Sequence, residues 1–201
     1  DTEQFMVDAM DYSLYDGRCG VALFLAAVER VSPGSGFGDM AGTTMGVVRR
    51  WLKKANRGDV SFIGIGGCSG LGSLIYTLAR LGEMMNDQVL YAEARHAAML
   101  IEQEHIEEDK VFDIIAGSAG LILSLLACYH ANGNNREILD RAVYCGNHLL
   151  KNRVTTSSGL KAWITMDSTS ASAPLLGFSH GAAGIAYALL KLYQVTGNSE
   201  Y

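Results

Sequence analysis

Four times in 201 residues a G-x-x-G motif is followed at once by an apolar run. The copies are Gly17-Arg18-Cys19-Gly20, Gly67-Cys68-Ser69-Gly70, Gly117-Ser118-Ala119-Gly120 and Gly181-Ala182-Ala183-Gly184. Their first glycines are 50, 50 and 64 residues apart. The runs behind them, VALFLAAV from Val21, LGSLIYTLARL from Leu71, LILSLLACY from Leu121 and IAYALLKLY from Ile185, are apolar on nearly every side. A helix apolar all round is buried all round, so each run predicts an inner helix.

The segments between them read differently. Thr43 to Lys54, Gln88 to Ile101 and Arg136 to Leu150 each carry a polar face. In Val89, Ala92, His96, Met99 and in Ile138, Ala142, Cys145, Leu149 the spacing is three or four, the mark of an amphipathic outer helix. Each repeat of about 50 residues is then one helical hairpin, stacked so that every unit buries the face its neighbour leaves open. Sustained alternation is missing, so no core strand is predicted. The expected fold is all-α, an α/α toroid of helical hairpins with about four inner helices. The longer third interval falls at Thr155 to Ser172, where half the positions are Ser or Thr, and predicts a long surface loop. The ending Gln194-Val-Thr-Gly-Asn-Ser-Glu-Tyr201 looks like a turn into another outer helix. Residues 1–201 therefore read as part of one domain, an incomplete ring whose bare inner faces predict self-association.

Charge narrows the partners. The chain carries a net charge of −5, and no Lys/Arg run exceeds two residues. A nucleic-acid groove or an anionic-membrane surface needs clustered cations, so neither is expected. Asp1 to Met10 lacks a basic segment followed by an apolar one, which predicts no signal peptide and a cytoplasmic protein. The most apolar stretch, Val111 to Tyr129, contains Asp113 and is read as a buried helix rather than a membrane span. Cys19, Cys68, Cys128 and Cys145 form no CxxC pair and are expected as reduced thiols.

Glycine ahead of each inner helix lets neighbouring backbones approach closely, and the motif can serve packing alone. The same arrangement also aims helix N–H groups at one rim, a place to hold an anion or a thiolate. Two copies carry titratable groups that the others lack: Asp113, four residues before Gly117, and His180, immediately before Gly181. If consecutive inner helices are neighbours, these loops lie side by side, and Asp113 can accept from a ring nitrogen of His180 for acid–base work. The plainer alternatives are a helix cap for Asp113 and a satisfied, half-buried histidine for His180.

Leu175-Leu-Gly-Phe-Ser-His-Gly-Ala-Ala-Gly-Ile-Ala-Tyr-Ala-Leu-Leu190, with Gln194-Val-Thr-Gly-Asn behind it, resembles the lanthionine synthetase C-like family. The nearest likeness is to the cyclase domain of class II (bifunctional) lanthipeptide synthetases. Leu14 to Leu25, Gly66 to Tyr76 and Phe112 to Gly120 are similar to the earlier glycine motifs of that domain, in order. The resemblance implies an α/α toroid that adds cysteine thiols of a dehydrated precursor peptide to dehydroalanine or dehydrobutyrine, closing thioether rings. It also implies a zinc ion that activates the thiolate, with Asp113 and His180 as the matching acid–base positions. The family's zinc ligands, two cysteines and a histidine that include a Cys-His-Gly, have no counterpart here. They are expected beyond Tyr201, leaving these residues without zinc and inactive alone.

Other residues are weighed and set aside. Cys68 sits at an expected helix N-terminus, where a thiol pKa can fall, and Cys19 in the equivalent slot. His96 and His105 have poor ligand spacing, and the acidic run Glu102 to Asp109 reads as a solvated helix end. Trp51 and Trp163 read as packing anchors. Two further functions stay open: a non-catalytic helical peptide-binding module, and a carbohydrate-active toroid, which would want paired carboxylates at the ring centre.

Overall fold

A computed structural model describes residues 9–165 and 173–201. Among them the chain forms nine helices and one two-stranded hairpin. The inner helices are α1 (Arg18–Val31), α4 (Leu71–Met85), α7 (Ser118–Ala131) and α9 (Ala182–Thr196). The outer helices are α2 (Phe37–Leu52), α5 (Gln88–Met99) and α8 (Arg136–Lys151). Short α3 (Arg57–Ile63) and α6 (Gln103–Glu107) lead back toward the next inner helix. Inner helices pack in chain order, α1 on α4, α4 on α7 and α7 on α9, and each of the first three packs on its own outer helix. The all-α hairpin architecture is thus the one the glycine repeat predicts. No described helix is long and apolar enough to cross a membrane.

Burial is uneven. In α7, Leu121, Ile122 and Leu125 are fully buried, as are Leu71, Ile75 and Leu78 in α4. Each such side chain contributes about 2 kcal/mol by leaving water. The reading of apolar-all-round helices as buried all round fits these two only. On α1, Phe24 is 67% exposed, and on α9 Tyr187, Leu190 and Tyr193 are exposed, because these helices have an inner neighbour on one flank among the described elements. Of the outer helices α8 behaves as predicted: it is capped by Asn135, which accepts from Glu137 N and Ile138 N, and buries Ile138, Ala142, Cys145 and Leu149. On α5 the predicted face is the wrong one: Leu90, Ala94, Ala97 and Ala98 turn inward, whereas Val89, Ala92 and His96 are exposed, because the small alanines let the helix pack closely on its neighbours.

The described part of the Ser/Thr-rich excursion forms a small hairpin. Its two-residue strands β1 (Val154–Thr155) and β2 (Lys161–Ala162) pair antiparallel. Trp163 is buried and donates from Nε1 to Leu149 O at 2.8 Å, the anchor role expected of it. The rest of the predicted loop, 166–172, lies outside the described residues.

Candidate active site

The loops ahead of the inner helices share one geometry. In each, an amide of the helix's first turn donates to a carbonyl seven residues upstream: Arg18 N to Asp11 O, Leu71 N to Gly64 O, Ala119 N to Phe112 O and Ala182 N to Leu175 O. Gly72, Ser73, Gly120 and Ala183 repeat the pattern one or two places on. The first-turn donors are therefore largely consumed by their own loops. The expected rim of free N–H groups for an anion does not form at these positions.

This geometry corrects the register of the second repeat. Gly17, Gly117 and Gly181 cap α1, α7 and α9, but α4 is capped by Gly70, three residues beyond Gly67. The sequence pattern matched Gly67 because Gly67-x-x-Gly70 has the right spacing in the wrong frame. Gly67 serves the packing of the loops instead. A Cβ there would lie 2.6 Å from the Cα of Gly120, so loop two touches the first turn of α7 main chain to main chain.

The four loops are joined sideways. Leu14 N and Tyr15 N donate to Cys68 O, Cys68 N and Ser69 N donate to Ile115 O, and Ile114 N donates to Ser179 O. In every pair the acceptor is the carbonyl two residues before the capping glycine. The last of these bonds, at 3.2 Å, sits beside the two residues singled out from the sequence. Asp113 precedes Ile114 and His180 follows Ser179, so the main chain places the two side chains face to face.

They meet. His180 Nδ1 is 2.6 Å from Asp113 Oδ2. Asp113 is 1% exposed, and its Oδ1 accepts from Ala116 N at 2.8 Å, a local turn that fixes the carboxylate's direction. A carboxylate only accepts, so Nδ1 carries the proton and Nε2 is the basic nitrogen of the neutral ring. The His180 side chain remains 44% exposed, and Nε2 has no protein partner among the described residues. The His180 carbonyl is held from behind by the hydroxyl of Thr165, a buried residue of the excursion. A buried carboxylate fixes one ring nitrogen and leaves the other facing outward: this is a general acid–base arrangement.

Cys68 lies near this pair but is not activated. It sits two residues before the cap of α4, not inside the helix end, and its counterpart in the first loop is Tyr15 rather than Cys19. Burial, and then the charge of Asp113, push its thiol pKa up. Cys19 is buried within α1, where burial pushes its thiol to about 12. Cys128 likewise reaches about 12, and complete burial pushes the Cys145 thiol well above its ordinary value. Among the described residues no three His, Cys, Asp or Glu side chains come together to hold a metal. The residues present therefore do not fit the zinc that the resemblance implies.

One carboxylate was overlooked in the sequence. Asp109, read as part of a solvated helix end, is buried and accepts from the backbone of Val111, Phe112 and Ser118 and from the Ser118 hydroxyl. Its signal was an acidic residue eight places before a capping glycine, which the run of neighbouring acids hid. His105 caps its own short helix by accepting from Glu102 N, and His148 is buried. A cavity of about 690 Å³ lies toward the C-terminal ends of α4, α7 and α9, away from the Asp113–His180 pair. Its lining includes Arg80 beside Glu83 and Lys191 over Tyr187 but no acid–base couple comparable to Asp113 and His180.

A search of curated proteins finds no match to the chain. The family described as lanthionine synthetase C-like protein matches it over residues 8–201, and the chain belongs to that family.

Proposed function

We propose that the chain carries the acid–base half of a cyclase that forms lanthionine-type thioether rings in a dehydrated precursor peptide. The observation that supports this reading is the Asp113–His180 pair, with a buried acceptor on Nδ1 and an outward Nε2. Family membership supports it from a second side.

The reaction joins a cysteine sulfur to the β-carbon of a dehydrated residue. The C–S bond forms, the π electrons of the alkene move toward the neighbouring carbonyl, and the α-carbon then takes a proton. The thiol's proton is lost and one proton is gained at carbon, so the step balances without an outside reagent. Nε2 of His180 is the group available to move that proton at the rim. Asp113 holds the ring by Nδ1, stabilises the imidazolium when it forms and prevents the ring from turning over. A proton transfer so positioned contributes about 10²- to 10⁴-fold. Zinc, which in this family supplies peptide thiolate at neutral pH, finds no ligand set among the described residues.

The test uses the natural protein that carries this segment, supplied with zinc and a dehydrated peptide. Ring closure does not change mass, so unreacted peptide thiols are counted by alkylation and mass spectrometry. His180→Ala should leave those thiols free while the peptide still binds, as read by fluorescence anisotropy. Ring closure at the wild-type rate in that variant overturns the assignment.

A further inference from the structure

We infer that Asp109, backed by His148, is a positioning residue that holds the loop of Asp113 in the one shape able to meet His180. The inference rests on the acid–base reading of the pair given above. The loop runs from Asp109 to Ser118, and the Asp109 carboxylate ties both of its ends. Oδ1 accepts from Val111 N at 2.8 Å and Phe112 N at 3.2 Å. Oδ2 accepts from Ser118 N at 2.8 Å and Ser118 Oγ at 2.6 Å. Ser118 is the first residue of α7, so the same carboxylate that starts the loop also caps the helix that ends it.

The shape it enforces is not one the chain would choose. Phe112 has φ of +63°, in the left-handed region that a β-substituted residue avoids, and it is the residue immediately before Asp113. Such a conformation persists only where its surroundings over-determine it. Here they do. The Phe112 amide is held by Asp109, its carbonyl accepts from Ala119 N, and its ring packs against the His148 ring at 5.5 Å.

His148 reaches this point from the outer layer. The amide nitrogen of Asn152, which only donates, faces Nδ1 at 3.3 Å. Nε2 therefore bears the hydrogen and donates to Asp109 O at 2.9 Å. A buried residue of α8 thus braces the main chain of Asp109 while its ring braces Phe112. Two contacts from one side chain fix the segment whose next residue is Asp113. If the brace is lost, Phe112 can relax out of the left-handed region, and the carboxylate no longer lies under Nδ1. A displacement of about 1 Å at a reacting group can cost on the order of 100-fold.

The test combines an activity measurement with one that does not depend on activity. In the natural protein, Ser118→Ala removes one Asp109 bond, His148→Phe keeps the ring contact but removes the donor, and Asp109→Asn removes the charge. For Asp109→Asn and His148→Phe, kcat for ring closure should fall about 10- to 100-fold with KM within twofold. Ser118→Ala, the mildest change, should fall less. His148→Gln, whose amide can still donate, should recover part of the loss. In parallel, ¹⁵N NMR of the His180 ring should show a single Nδ1–H tautomer in the wild type. In Asp109→Asn it should show the mixed state also produced by Asp113→Asn. Unchanged ring signals and kcat in both Asp109→Asn and His148→Phe, with helicity retained by circular dichroism, overturn the positioning role. An Asp113→Asn or His180→Ala protein that still closes rings overturns the acid–base reading instead, whatever Asp109 does. Should Asp109→Asn fail to fold, Ser118→Ala and His148→Phe decide the matter by the same two readouts.

Discussion

His180 Nδ1 lies 2.6 Å from Asp113 Oδ2 across 67 residues of chain, and one main-chain bond, Ile114 N to Ser179 O, sets that distance. The side chains are aligned by the backbone of the loops that carry them. Their separation therefore depends on loop packing as much as on their own identity.

Glycine at position 120 should accordingly be indispensable. A Cβ there would fall 1.9 Å from Ile114 O and 2.7 Å from Gly67 N, both backbone atoms with nowhere to go. Gly120→Ala should cost more than about 2 kcal/mol, lowering Tm by roughly 4 to 8 °C for a chain of this size. Gly42→Ala, in α2 with open space around it, should be neutral or stabilising by up to about 1 kcal/mol. Thermal melts followed by circular dichroism compare the two. Equal melting temperatures would refute the close approach.

Cys68 reports on Asp113 through its thiol. Because the carboxylate's charge helps raise the thiol pKa, Asp113→Asn should lower it and speed alkylation at pH 8 by about two- to fivefold. Burial, the larger cause, persists in the variant, so the thiol should remain less reactive than free cysteine. Under native conditions Cys68 should react well before Cys19, Cys128 and Cys145, which are buried. Stopped-flow alkylation with peptide mapping measures both. An unchanged rate in Asp113→Asn would mean that burial alone sets the value.

The buried thiols also predict an alkaline limit. The folded state keeps Cys19 and Cys128 protonated to about pH 12, whereas the unfolded chain loses those protons above about 8.5. The unfolded state then binds fewer protons, so stability is full below about 8.5 and falls as pH rises toward 12. Each such thiol contributes a slope of about 1.4 kcal/mol per pH unit. Urea titrations between pH 8 and 10.5 should show a shallower decline in Cys128→Ala than in the wild type. Parallel slopes would contradict the assignment.

Between the first and second hairpins, Arg49 and Glu93 form a two-pronged pair at 2.6 and 3.0 Å, with Glu93 only 14% exposed. Glu93→Gln should cost about 1 to 2 kcal/mol, since it leaves a partly buried guanidinium without its anion. A double-mutant cycle with Arg49→Met in urea isolates the coupling. A coupling near zero would make the pair a surface contact of no consequence.

The glycine repeat and the change from all-apolar to one-sided segments revealed the hairpins, because spacing and periodicity are local properties, and the Asp113–His180 contact followed once consecutive inner helices proved to be neighbours. Three things were hidden because they are not local. The frame of the second repeat was misread because Gly66, Gly67, Gly70 and Gly72 crowd together, and only the bonds seven residues back choose among them. Asp109 was hidden among neighbouring acids, since nothing in Glu102 to Asp109 announces which one turns inward. The exposure of Phe24 and Leu190 depends on which helices lie beside α1 and α9, and a helix's own residues do not record its neighbours.

The sideways bonds between loops run through main-chain groups, with Ser69 Oγ adding one side-chain bond to Ile115 O, so the side chains of Asp113 and His180 are not spent on them. Those places hold Ser13 and Asp16 in the first loop, Gly66 and Ser69 in the second, Asp113 and Ala116 in the third, and Gly177 and His180 in the fourth. The frame is thus a rack in which only some slots are open. A Cβ at Gly177 meets nothing within 4 Å, whereas one at Gly66 would strike the Ala116 backbone at 2.3 Å, so the second loop cannot carry a carboxylate where the third carries Asp113.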